Sequence, residues 1–183
     1  MPHAALGQAM RKLWSDHVIW TRLYIMAAVA GTPDADAAAG RLLKNQEDIG
    51  NAIVPFYGQE NGTKLTGLLK EHIMIAVELI KAAKASDDRK FGEYDKKWDD
   101  NAHQIAKFLS SADPKNWPEA AVYDLLDQHL RLTKGEVVAR LKKDWAADVK
   151  AFDDIFTEIM VVADTLDDGL VAQFPARFAG TAA

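Results

Sequence analysis

The chain has 183 residues, 49% of them hydrophobic, which suits one globular domain spanning residues 1–183 with a sizeable core. Its 22 basic and 27 acidic side chains give a net charge of −5, so nucleic acid is not an expected partner. The absence of cysteine excludes disulfide scaffolds, thiolate metal sites and cysteine nucleophiles.

The first half of the chain predicts three helices. Helix one covers residues 4–30 and ends at Gly31, a residue type favoured just after a helix. Helix two follows and ends in a segment rich in helix breakers at residues 55–62. Helix three begins near Thr63 and continues to the turn signal at residues 86–88.

The second half predicts a fourth helix that ends at Asp113, because a residue before proline avoids the helical conformation. A short fifth helix starts near Pro118. Thr133 and Glu136 fit a capping box that would begin the long last helix, which we expect to fray after residues 167–169. The predicted fold is all-α, an antiparallel up-and-down bundle of four long helices with one or two shorter ones.

The most apolar stretches, residues 18–29 and 73–83, are too short to cross about 30 Å of hydrocarbon. The first ten residues lack the basic and apolar segments of a signal peptide. We therefore expect no membrane partner and a cytoplasmic location.

Three segments share one pattern of residue classes, in which a leucine and an apolar residue are followed by a histidine and an aliphatic residue. Their histidines lie 55 and 57 residues apart, and Asn45 and Asn101 lie 56 apart. Trp98-x-x-Asn101 is similar to Trp145-x-x-Asp148, which suggests an aspartate in the third unit. This spacing predicts three repeated helical hairpins, although leucine-rich patterns are common to all bundles. The segments are 13–18, 68–73 and 125–130.

Steps of three and four residues place three histidines on the apolar faces of their helices: His17, His72 and His129. Together with Asp48 they would suit a divalent transition metal, Zn, Fe or Mn, as ligands from facing helices of a bundle. Asn45 and Asn101 lie beside them as candidate ligand-binding residues. Such an ion would activate a bound water by lowering its pKa.

A second inward group combines arginines with aromatic residues and would line a pocket for a small anion, with the guanidinium group forking onto it. Its candidate ligand-binding residues are Trp20, Arg22 and Arg41, beside Trp14, Gln46 and Tyr57. In the other interpretation the aromatic residues form core, and the arginines pair with Asp16, Glu47 or Asp48.

These features predict a bundle that binds a metal or a small molecule, with no catalytic residue assigned. The alternative is a non-catalytic interaction protein with structural histidines, whose long last helix pairs with a partner or with its own copy as a homo-oligomer. No phosphate-binding glycine loop or serine nucleophile motif is present. No Glu-x-x-His is present either, which argues against a ferritin-like di-iron site.

Two motifs resemble those of a group of short all-helical bacterial proteins: Trp14-x-x-His17-Val18-x-Trp20-Thr21-Arg22 and Asn45-Gln46-x-Asp48-Ile49-Gly50. The similarity extends from Leu13 to Phe178 and includes Gln173-Phe174-Pro175. It implies a stand-alone bacterial protein and carries no catalytic assignment.

Overall fold

A computed structural model describes residues 3–178, and within this range every regular element is helical. The five α-helices are α1 His3–Ala30, α2 Ala35–Lys84, α3 Asp88–Ala112, α4 Glu119–Leu141 and α5 Trp145–Gln173. A short 3-10 turn, Pro175–Arg177, follows α5. The predicted all-α bundle is confirmed. None of the helices in the described range is long and apolar enough to cross a membrane.

The 50-residue α2 is a helical hairpin rather than one straight rod. Gly58 has φ 81° and ψ 169°, which breaks the helix and is readily adopted only by glycine. The chain therefore forms a first arm, residues 35–57, and a second arm, residues 59–84. Contacts that join Glu47 to Lys70 and Gly50 to Gly62 show that the two arms run antiparallel. The loop expected over residues 55–62 is thus limited to a single non-helical residue.

The helices form a closed ring in which each packs against its neighbours along the chain and α5 returns to α1. Because α2 contributes two arms, the ring consists of three hairpins. The first pairs α1 with the first arm of α2, the second pairs the second arm with α3, and the third pairs α4 with α5. The side-chain bonds described below follow this arrangement.

Helix ends use local groups, three of them predicted, at Gly31, Asp87 and Asp113, and one, Asp144, not predicted. Asp87 accepts a hydrogen bond from the backbone N–H of Lys90 at the start of α3, and Asp144 does the same for Ala147 at the start of α5. Gly31, with φ 75°, follows the end of α1, and Asp113 follows the end of α3. These four residues supply the conformations and acceptors that helix ends require.

Two predicted boundaries are wrong because tertiary contacts use the residues differently. Thr133 and Glu136 lie inside α4, where Thr133 Oγ1 donates to the His129 carbonyl and Glu136 pairs with Arg22. The last helix therefore begins at Trp145. Gly169 does not end α5, because the absence of a side chain there lets the indole of Trp117 pack against the helix.

Candidate functional site

Three buried histidines come together on the axis of the ring: His17 from α1, His72 from the second arm of α2, and His129 from α4. Each is at most 5% exposed. The ring centroids of His17 and His129 are 5.5 Å apart. All three side chains line the same two internal voids, of about 20 and 10 Å³. We call these residues the three-histidine centre.

Each histidine is held through Nδ1 by a side chain from the second helix of its own hairpin. The partner lies 29 residues further along the chain in all three cases. The distances from Nδ1 are 3.2 Å to Gln46 Nε2, 2.8 Å to Asn101 Oδ1 and 2.9 Å to Glu158 Oε2. The same separation in three hairpins supports the predicted repeat and fixes its register.

The repeat extends to the backbone. Asn101 Nδ2 donates to the carbonyl of Leu68, four residues before His72, so its Oδ1 is the atom that accepts from His72 Nδ1. In the first hairpin Asn45 Nδ2 donates to the equivalent carbonyl of Leu13. The two roles of Asn101 are thus divided between Asn45 and its neighbour Gln46.

These bonds define the hydrogen position on two of the rings. His72 carries its proton on Nδ1 and keeps a lone pair on Nε2. Gln46 Nε2 faces three acceptors, the Leu42 carbonyl, Asn45 Oδ1 and His17 Nδ1. Because an amide nitrogen does not accept a hydrogen bond, the neutral His17 ring carries its proton on Nε2. The first two hairpins therefore hold their histidines in similar positions, but the proton lies on a different ring nitrogen in each.

Burial keeps His17 and His72 neutral. The pKa of His17 lies well below its ordinary value, first because burial penalises the charged ring and then because His129 and His72 are close. The same causes, burial and then His129, lower the pKa of His72 to about 3. Neutral imidazole is the form that binds metal ions.

Unpaired polar atoms concentrate around the centre. Within residues 3–178, six buried side-chain nitrogen or oxygen atoms have no hydrogen-bond partner. Four belong to residues that touch the central histidines. These are Trp14 Nε1 beside His17, Trp98 Nε1 beside His72, Gln46 Oε1 and Glu158 Oε1. A buried polar group without a partner is costly, so these side chains could exchange hydrogen bonds with a group bound beside the histidines.

The prediction of the third partner used the wrong register. Asp148, matched to Asn101 through their tryptophans, instead pairs with Arg22 and Arg140 at a different level of the bundle. Glu158 takes the position next to His129. Counting 29 residues from each histidine would have identified Glu158. Alignment of the two tryptophans does not identify it, because Trp145 lies outside the centre and is 54% exposed.

Asp48 does not join the histidines, which corrects the expected ligand set. Its side chain is 36% exposed and lies at the surface, 3.1 Å from Lys44 and 3.9 Å from Arg41. Neighbouring Asn45 and Gln46 point inward, and a helix turns about 100° per residue, so Asp48 falls near the edge of that face. The acidic residue at the centre is Glu158.

The residues expected to line one anion pocket lie apart in the structure. Trp20 lies under Arg41, with the guanidinium carbon 5.5 Å from the ring, and Arg41 pairs weakly with Asp16. Arg22 is already occupied by Glu136 and Asp148. Both arginines therefore pair with the chain's own acids. The alternative interpretation named the right partners for Arg41, but Arg22 pairs with Glu136 and Asp148 and not with Asp16, Glu47 or Asp48.

The three central rings are not yet close enough to share one ion. Among the residues that the structure describes, one group of three histidine, aspartate or glutamate side chains has its ligand atoms within 4.8 Å of one another, and it is His3, Asp167 and Asp168 near the surface. At least one pair of ligand nitrogens in the three-histidine centre is therefore more than 4.8 Å apart.

Comparisons of the chain with protein-family models, with curated proteins and with solved structures found no match. The centre must therefore be interpreted from its own geometry.

Proposed function

We propose that this protein binds one divalent transition-metal ion at the three-histidine centre. The observation that carries the proposal is that the side chains in contact with three buried imidazoles hold four unpaired buried polar atoms. Structural histidines with all partners satisfied would not require such atoms. A bound ion with an attached water would supply the partners that they lack.

The donor set suits Zn, Fe or Mn. Three imidazole nitrogens leave at least one coordination position open for water or a small ligand. Asn101 and Glu158 hold their histidines through Nδ1, which is the usual arrangement behind a metal-binding Nε2. When ionised, Glu158 would also offset part of the charge of the cation. An ion in this position would lower the pKa of a bound water and so supply a nucleophile.

Binding requires two small rearrangements. Metal–nitrogen distances of about 2.1 Å place the nitrogens about 3.5 Å apart, so the rings must draw together. The voids on either side of them provide room for this motion. His17 must move its proton from Nε2 to Nδ1. The unpaired Oε1 of Gln46 accepts that proton's hydrogen bond only if the amide turns, which gives up the bonds of Nε2 to the Leu42 carbonyl and Asn45 Oδ1.

The test is a metal titration of protein first stripped with chelator. Cobalt(II) is the reporter because its visible bands respond to coordination, and bound zinc is counted by elemental analysis. We expect one ion per chain, and loss of binding in His72→Gln and His129→Gln. The matched control is His103→Gln, an exposed histidine stacked on Tyr123, which should bind as the wild type does.

Circular dichroism should confirm that each variant is folded. Wild-type protein that binds no ion would overturn the proposal. Binding that His3→Ala abolishes and His72→Gln leaves intact would overturn it as well, because the ion would then occupy the surface group of His3, Asp167 and Asp168.

A further inference from the structure

A surface cleft of about 420 Å³ lies between the first turns of α1 and the last turns of α5. Two side chains of α1 that can carry positive charge, His3 and Arg11, line one wall. Three aspartates of α5 line the other, Asp164, Asp167 and Asp168. With three carboxylates, one arginine and a neutral histidine, the cleft has a net charge of −2. Its field therefore favours a cation.

Two of these aspartates are not neutralised by a basic side chain. Arg11 donates to both oxygens of Asp164, at 2.7 and 2.8 Å, and is thereby occupied. Within residues 3–178, neither Asp167 nor Asp168 forms an ion pair with a lysine or an arginine. The carboxylate of Asp167 bonds to His3, whose Nε2 lies 3.0 Å from Oδ2. An added cation would therefore meet two carboxylates that no basic side chain of the described range has claimed.

Burial of Asp167 is an independent sign that a ligand is needed. The residue is 5% exposed, yet its Oδ1 has no hydrogen-bond partner in the part of the chain that the structure describes. A buried polar atom without a partner is costly. A Cβ on Gly7 would lie 3.1 Å from Oδ2, so the absence of a side chain there keeps space beside the carboxylate. A cation bound at Asp167 would supply the partner that Oδ1 lacks.

The ligand atoms already lie near the spacing that a single ion requires. One nitrogen or oxygen atom from each of His3, Asp167 and Asp168 lies within 4.8 Å of the other two. Two ligands about 2.1 Å from an ion and at right angles to each other are about 3.0 Å apart, as His3 Nε2 and Asp167 Oδ2 are. Asp168 is exposed, so its side chain can turn to complete the set.

We propose that His3, Asp167 and Asp168 bind a divalent cation that connects the start of α1 to the end of α5. One imidazole nitrogen with carboxylate and water oxygens suits Mn(II) or Zn(II). This site is separate from the three-histidine centre and does not depend on the function proposed for that centre. His3 and Asp168 are exposed, and water and salt weaken charge interactions there. We therefore expect the cleft to fill at higher ion concentrations than the central site.

Manganese(II) locates the site in wild-type protein stripped of metal, because this ion broadens the NMR signals of nearby nuclei. The amide signals of Ala4 and Gly7, which line the cleft, should broaden as Mn(II) is added. Ile73 and Ala76 line a void at the three-histidine centre and report on an ion there. Broadening confined to Ile73 and Ala76, or no broadening at either place, would overturn the cleft site.

The number of bound ions is measured from the loss of the electron paramagnetic resonance signal of unbound Mn(II), in a His72→Gln background that disables the central site. We expect one ion per chain. Adding His3→Gln or Asp168→Asn should weaken binding at least about tenfold. The matched controls are the exposed His103→Gln and Asp153→Asn, the latter on the same helix, and they should bind as the background does. An affinity unchanged by both His3→Gln and Asp168→Asn would overturn the proposal.

Discussion

At the scale of single residues, burial of His72 should make the free energy of unfolding depend on pH. Its pKa is about 3 in the folded protein and about 6.5 when unfolded, so below pH 6.5 the unfolded chain binds a proton that the folded chain does not. The unfolding free energy should fall as the pH drops from 6.5 towards 3, by up to about 1.4 kcal/mol per pH unit from this residue.

Urea denaturation of metal-free protein at several pH values measures this effect. His72→Gln should show a shallower loss of stability between pH 6.5 and 4 than the wild type. The exposed His103→Gln should keep the wild-type slope. An identical slope in His72→Gln would show that His72 does not resist protonation in the folded state.

The effect of Glu136 on the pH dependence of stability should be opposite to that of His72. Burial raises its pKa to about 7, outweighing the attraction of Arg22, which Asp148 shares. Between pH 4.5 and 7 the folded chain holds a proton that the unfolded chain has lost, so stability from this group declines as the pH rises. Glu136→Gln should remove that decline in the same urea experiment, whereas exposed Glu71→Gln should not. A decline that persists in Glu136→Gln would contradict the assignment.

At the scale of elements, the two arms of α2 depend on a glycine contact. A Cβ atom built on Gly50 would lie 2.7 Å from the Gly62 carbonyl oxygen, and one on Gly62 would lie 2.8 Å from the Gly50 carbonyl oxygen. Real side chains do not fit at such distances, so the close crossing of the arms requires both glycines.

Gly50→Ala should therefore destabilise the protein by about 1–3 kcal/mol, the usual consequence of overpacking. Gly67 supplies the control, since a Cβ there meets open space on the same helix pair. Gly67→Ala should stabilise by about 0.5–1 kcal/mol through the better helix propensity of alanine. Thermal unfolding measures both, and equal effects of the two substitutions would argue against a tight crossing.

Helix type was predictable from the sequence, and helix ends were predictable only in part. Ends marked by local groups, such as Asp87 before α3, were found because the cap bonds its own helix. Thr133 and Glu136 matched the same kind of signal, but a distant partner, Arg22 on α1, takes the glutamate. A pattern within one segment carries no information about a residue 114 positions away.

At the scale of the whole molecule, Asp148 closes the ring between α5, α1 and α4. Its carboxylate accepts two hydrogen bonds of 3.1 Å from Arg22 and one of 3.0 Å from Arg140, and its side chain is 2% exposed. Asp148→Asn would leave two arginines near a single acid, Glu136. Removing one partner from a buried ionic group typically costs about 3–5 kcal/mol.

We expect a loss of this size for Asp148→Asn in urea denaturation. Asp164 provides a matched comparison, because it also accepts two bonds from one arginine, Arg11, between α5 and α1, but at 43% side-chain exposure. Asp164→Asn should change stability little, since solvent screens exposed pairs. Equal losses in the two variants would show that burial does not set the contribution of Asp148.

The sequence by itself determined the helical class, the inward positions of His17, His72 and His129, and the near-regular spacing of the three hairpins, because periodicity and repeats are properties of the chain. Tertiary structure alone decided which helices face each other and at what height. That choice placed Glu158 beside His129, sent Asp48 to the surface, and gave Arg22 to Glu136 and Asp148. The physical reason is that a helical pattern fixes the face of a side chain, while its partner depends on the packing of separate elements.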